Sequence, residues 1–149
     1  MNKDITELAE KFDCILIYFF GSQADKGRRY LEGDEVKADP FTDLDVAVAF
    51  RTSPIKAIKI YGEIYKEISK ALEPFHIDLV FIHEQGILFQ YEIIKGIRIY
   101  EKSERFTEEF EEGVMIRAGD LLFKKRILDR EIMEAIDDGY IEFEYRPGP

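Results

Sequence analysis

Seven apolar residues in a row, Cys14-Ile15-Leu16-Ile17-Tyr18-Phe19-Phe20, are the strongest constraint in this chain. The run is too short to be a buried helix and is rich in β-branched and aromatic residues. It reads as a strand with no solvent face. A strand of that kind needs a layer on each side of its sheet, so the fold class is α/β. The run stops at Gly21-Ser22, and a second strand-like segment begins at Asp43-Leu44-Asp45-Val46-Ala47-Val48-Ala49-Phe50. Two carboxylates one residue apart at the head of an apolar strand call for a positive partner. Period-two alternation sets Asp43 and Asp45 on one side, with Leu44, Val46 and Val48 on the other.

The rest of the chain supplies the layers. Ile5, Leu8, Ala9 and Phe12 mark a short amphipathic helix over 4–12. A helix capped by Ser22 is expected to begin at Gln23-Ala24-Asp25-Lys26. Residues 27–42 carry no period and contain Gly27, Gly33 and Asp39-Pro40, so a long loop or small excursion is expected there. Ser53-Pro54 reads as a helix start, followed by the stripe Ile58, Tyr61, Ile64, Tyr65, Ile68, Ala71 and Leu72 up to Glu73-Pro74. Residues 77–82 form a third strand, 85–95 a short helix ended by Gly96, and 97–100 a short fourth strand. From Ser103 to about Asp138 the period is helical again. Gly113 and Gly119 each weaken that stretch by roughly 1 kcal/mol relative to Ala, which allows two helices or a kink. The tail, 145–149, is expected to fray. The expected whole is a small mixed β-sheet flanked by helices, with residues 1–102 as one domain and 103–149 as a helical extension and tail of the same compact unit.

Charge and composition narrow the function. At 149 residues the chain can bury a real core, and its net charge of −10 argues against gripping a nucleic-acid backbone directly. Residues 104–149 hold 13 acids against 7 Lys and Arg, so most of the excess lies in the last third. The cluster Glu108-Glu109-Glu111-Glu112 reads as a solvated helix face, or as a surface for a basic partner. No apolar run approaches the roughly 20 residues that span a bilayer, and Met1-Asn2-Lys3-Asp4 has no signal-peptide build. A cytoplasmic protein with no membrane contact is expected. Cys14, the single cysteine, reads as a core residue and excludes a disulfide framework. His76 and His83 read as edge or loop residues. Phe19, Phe20, Phe89, Phe110 and Phe123 read as core or partner surface rather than as base-stacking platforms.

Asp78 interrupts the third strand, Ile77-Asp78-Leu79-Val80-Phe81-Ile82. If that strand lies beside 44–50, three carboxylates converge. Three buried like charges drive one another to protonate unless a cation reverses the balance. Mg²⁺ suits such oxygen ligands and leaves positions for substrate phosphates. Two ions would clamp the attacking oxygen and the leaving pyrophosphate in a nucleotidyl transfer. Gly21 allows the backbone close to a phosphate, and Ser22 adds a hydroxyl and an amide at a helix N-terminus. Asp78 is placed to hold a metal or to take the acceptor's proton.

Gly21-Ser22, then Asp43-x-Asp45 on a strand continuing Val-Ala-Val, then Ile77-Asp78-Leu79-Val80, resembles the minimal nucleotidyltransferase (MNT) family of the DNA polymerase β-like superfamily. The likeness covers about 16–101. The continuation Tyr91-Glu92-Ile93-Ile94-Lys95-Gly96, Ile99-Tyr100-Glu101 and a long helix is similar to MNT antitoxins paired with HEPN toxins. The resemblance implies Asp43, Asp45 and Asp78 as metal-binding catalytic acids and Gly21 and Ser22 as nucleotide contacts. It implies ATP as substrate, AMP transfer to a tyrosine of a HEPN ribonuclease, and a hetero-oligomer with that toxin. Transfer to a small hydroxylated molecule such as an aminoglycoside, or neutralisation by binding alone, are the alternatives. The chain departs from the family in two ways. Twenty residues, 23–42, separate Gly-Ser from the first acid where the family has about ten. Asp25 also replaces the usual basic residue, with Lys26, Arg28 and Arg29 nearby.

Overall fold

The computed structural model describes residues 2–52 and 54–139. Ser53 of the expected helix start and the tail 145–149 lie outside them. The elements run α1 (Lys3–Lys11), β1 (Cys14–Phe20), α2 (Ala24–Leu31), β2 (Leu44–Phe50), α3 (Ala57–Ala71), β3 (Ile77–Phe81), a 3₁₀ turn (Ile82–Glu84), α4 (Ile87–Ile94), β4 (Ile97–Glu101) and α5 (Glu104–Asp137). The strands form one sheet in the order β3-β2-β1-β4. β1 is antiparallel to both β2 and β4, and β2 is parallel to β3, so the sheet is mixed as expected.

β1 lies in the middle and is buried over its length except for half-buried Phe20. Alternation divides its neighbours between two cores. Ile17 and Phe19 join Leu44, Val46 and Val48 beneath α1, α2 and α3, together with Ile5, Leu8, Ile64 and Ile68. Tyr18, Ala47, Ala49, Ile82 and Ile93 form the second core, against which Phe106 and Phe110 of α5 pack. The hydrophobic effect thus acts on both faces of one strand.

The helices depart from the sequence reading in four places. Gly27 does not break the chain: α2 continues through it to Leu31, which leaves only about half of 23–42 as connection. A β-carbon at Gly27 would lie 2.9 Å from both the Leu44 and the Phe19 side chains, so glycine is what lets α2 sit close on the sheet. The N-cap of α2 is Gln23, not Ser22, and no side chain caps it. α3 begins at Ala57, after Pro54, and buries only the Ile64–Ile68 side of its stripe. Ile58 is 91% exposed, and Tyr61 and Tyr65 are more than a third exposed. α5 is one unbroken helix of 34 residues, with Ser103 accepting from the Phe106 amide at its N-terminus. Its glycines do not break it.

Opposite stability effects are expected at two helical glycines. Gly27→Ala overpacks a filled core and should destabilise the protein by about 1–3 kcal/mol. Gly62→Ala meets nothing within 4 Å and should stabilise it by about 0.5–1 kcal/mol. Urea denaturation of the two variants checks both signs.

Candidate active site

The site is built by strand register. Parallel pairing sets Asp45 of β2 directly opposite Asp78 of β3. Antiparallel pairing on the other side sets Asp45 opposite Phe20, the last residue of β1, so that Gly21 turns away beside it. Gly21 has φ +74°, and a β-carbon there would lie 2.3 Å from Asp45 Oδ2. Any side chain at this corner would both strain the backbone and push the carboxylate aside. The strand reading therefore brings Gly21, Asp45 and Asp78 into one place.

Asp43 stands just before β2. The approach to it is a turn closed by Asp39, whose carboxylate accepts from the Phe41 amide at 2.8 Å and the Thr42 hydroxyl at 3.2 Å. The Leu44 amide donates to the His76 carbonyl at 2.8 Å, tying this corner to the start of β3. Asp43 and Asp78 are exposed and Asp45 is half-buried, so the acids are less buried than the sequence suggested. Among the described residues no three His, Cys, Asp or Glu side chains close into a metal cage. Asp45 and Asp78 meet; Asp43 stays within electrostatic reach.

The electrostatics follow from that placement. The Asp45 carboxyl is pushed up to about 6, first by partial burial, then by the charges of Asp78 and Asp43 and a hydrogen bond with Asp78. Tyr61, reaching over from α3, donates to the Leu79 carbonyl at 2.8 Å. Its hydroxyl is raised by burial and then by Asp78, which places Tyr61 at the edge of the site. Nothing in the sequence distinguished Tyr61 from the other residues of its stripe.

Ser22 is exposed beside Gly21, at the turn into α2. Its neighbour Gln23 is buried, with Oε1 lacking a hydrogen-bond partner. Of the three basic residues that follow, Arg28 pairs with Asp25 and Glu32, and Arg29 with Asp34. Lys26 is exposed and has no ion pair among the described residues. His83 Nε2 lies 2.9 Å from the Phe50 carbonyl oxygen, and its ring packs on Phe110; His76 is an exposed residue at the β3 edge. Glu111 corrects the reading of the acidic cluster. It accepts from the buried Tyr18 hydroxyl at 2.5 Å and from Arg98 at 3.2 Å, so it ties α5 to the sheet instead of facing solvent. A cleft of 410 Å³ between α2 and β4, lined by Arg28, Leu31, Ile97 and Arg98 among others, contains none of the acids.

The structure thus joins a mixed sheet, two acids paired across parallel strands and a left-handed glycine against one of them. The Polymerase beta, Nucleotidyltransferase family matches residues 3–105, and the chain belongs to that family. No curated protein sequence matches it. Among solved structures, a chain of the MntA–HpeT toxin–antitoxin mutant is similar at a TM-score of 0.63 and 16% identity, over 89% of this chain and 98% of that one. A chain of a toxin–antitoxin with AMP-PNP gives 0.61 and 17%, over 89% and 98%. A chain from the tri-AMPylated Shewanella oneidensis HEPN toxin in complex with MNT antitoxin gives 0.60 and 16%, over 89% and 95%. At these identities the likeness is one of fold. Among the described residues no helix is long and apolar enough to cross a membrane.

In metal-free protein the raised Asp45 acid stabilises the fold below pH about 4, and that contribution is lost as pH rises through about 6. Asp78→Asn removes the facing charge and should lower the Asp45 value while flattening this loss. Carboxyl-carbon NMR titration of Asp45, with thermal unfolding across the same pH range, checks both.

Proposed function

We propose that this protein transfers AMP from ATP to a hydroxyl of a partner protein, a tyrosine of a HEPN ribonuclease toxin, and thereby acts as its antitoxin. One observation carries the transferase part: Gly21, Asp45 and Asp78 converge at one sheet end, where partial burial and then the charges of Asp78 and Asp43 raise the Asp45 carboxyl. That donor set is all carboxylate oxygen, which fits Mg²⁺. Asp43, Asp45 and Asp78 would hold it. When bound, Mg²⁺ offsets the charge of the triphosphate and of the three acids.

The chain's own groups account for the remaining steps. The Gly21 and Ser22 backbone takes the phosphates, because only a residue without a β-carbon leaves that space beside Asp45. Lys26 is the cation on α2 without a partner among the described residues, and we assign it the triphosphate charge that Asp25 cannot meet. The acceptor oxygen attacks the α-phosphorus as the bond to pyrophosphate breaks, pyrophosphate leaves, and Asp78 takes the hydroxyl proton. The exposure of Asp43 and Asp78 favours a large acceptor that docks over the site rather than a small molecule enclosed by it. Family membership supports the chemistry. The similarity in fold to a chain from a complex described as holding a tri-AMPylated HEPN toxin and an MNT antitoxin supports the acceptor.

The test is transfer of label from α-labelled ATP in the presence of Mg²⁺ and the protein encoded beside this one. Label should appear on a tyrosine of that neighbour and vanish with chelator. Asp43→Asn and Asp45→Asn should each lower the rate by roughly 100-fold or more. Undiminished transfer in Asp45→Asn, or neutralisation of the neighbour without any label, would refute the proposal.

A further inference from the structure

Among the described residues, the second half of α5 buries Asp129 but no apolar side chain. The helix is about 50 Å long at 1.5 Å per residue, and α4 is the one element it packs against extensively. Its buried residues are Thr107, Val114, Ala118 and Asp129, so beyond Ala118 no apolar side chain of it is buried. Ile116 is 56% exposed and Phe123 65%, one heptad apart on the same side of the helix. A helical segment of this length is marginal in water without an apolar contact. Gly119 lies between these two residues on the same stripe, and a β-carbon there would meet nothing within 4 Å. No packing among the described residues explains a glycine at that point.

The charges on α5 say what fits. Residues 104–112 carry five glutamates against one arginine, and residues 117–130 carry five Lys and Arg against two aspartates. Glu104, Glu108 and Glu112, and likewise Lys124, Lys125, Arg126 and Arg130, make no ion pair among the described residues. The apolar pair and Gly119 sit where the sign changes. We propose that α5 pairs antiparallel with α5 of a second copy of this chain, crossing near Gly119. In that arrangement the acidic half of each helix faces the basic half of the other, twice, with Ile116 and Phe123 between them. A parallel pair would set acid on acid and base on base. One surface supplies both members of each complementary pair, which is the condition for a two-fold symmetric interface. The glycine allows close approach of the helix axes at the crossing, and the opposed dipoles of antiparallel helices add to the preference. This inference is independent of the transferase reading.

Sedimentation equilibrium of the full chain at tens of micromolar should give a dimer that weakens at high salt. Phe123→Glu should raise the dissociation constant by about 100-fold or more, with the circular dichroism of the folded protein retained. Glu108→Lys/Glu112→Lys and Arg126→Glu/Arg130→Glu should each be monomeric alone, and an equimolar mixture of the two should recover a heterodimer. A wild-type chain that remains monomeric would overturn the proposal. So would reversed-charge variants that dimerise like wild type, or a mixture that does not associate. A stripe that binds only the neighbour-encoded protein, and loses it in Phe123→Glu, would overturn it as well.

Discussion

The parallel pairing of β2 with β3 sets Asp45 opposite Asp78, and most of what is distinctive about this protein follows from that register. A slip of one residue would turn every side chain of β3 to the opposite face, burying Asp78 and exposing Leu79. The register is held by Leu44, Val46 and Val48 against Ile77, Leu79 and Phe81 in the first core. The same apolar contacts that fold the sheet therefore fix the two acids next to each other. Partial burial first, and then the facing charge of Asp78, raise the Asp45 acid, a cost the core must carry. Gly21 completes the site because β1 ends opposite Asp45 and must turn with positive φ at that point.

Much of this was legible in the sequence, for identifiable reasons. Strand alternation alone separated Asp45 from Leu44 and Val46, and an apolar run without polar interruption read as a strand covered on both faces. The sheet order, and hence the meeting of Asp45 with Asp78, depends on long-range pairing; it entered the sequence reading as a condition that the fold then met. Gly27 misled because glycine reads locally as a breaker, whereas its role is close contact with Leu44 and Phe19, residues distant in the chain. The α3 stripe misled in the opposite sense. Ile58, Tyr61 and Tyr65 share the apolar period with Ile64 and Ile68, yet all three stay more than a third exposed, and Tyr61 instead bonds to the edge strand.

Glu111 shows the same limit at the level of charge. Four glutamates in five positions look like one solvated face, but a helix turns, and Glu111 comes round onto Tyr18 and Arg98. That contact anchors the first half of α5 on the second core and leaves the remainder to extend beyond it. The chain thus divides its acidity by role. Asp43, Asp45 and Asp78 sit at the sheet end, Glu111 holds a helix in place, and Glu104, Glu108 and Glu112 remain on the outer side of α5.

Asp45, Asp78 and Asp43 are proposed to form one metal-dependent nucleotide site. Isothermal titration with a non-hydrolysable ATP analogue, in the presence of Mg²⁺ or of chelator, tests it most directly. Binding should require Mg²⁺ and be lost in Asp45→Asn while the fold is retained. Binding of equal strength without Mg²⁺, or unchanged in Asp45→Asn, would contradict it.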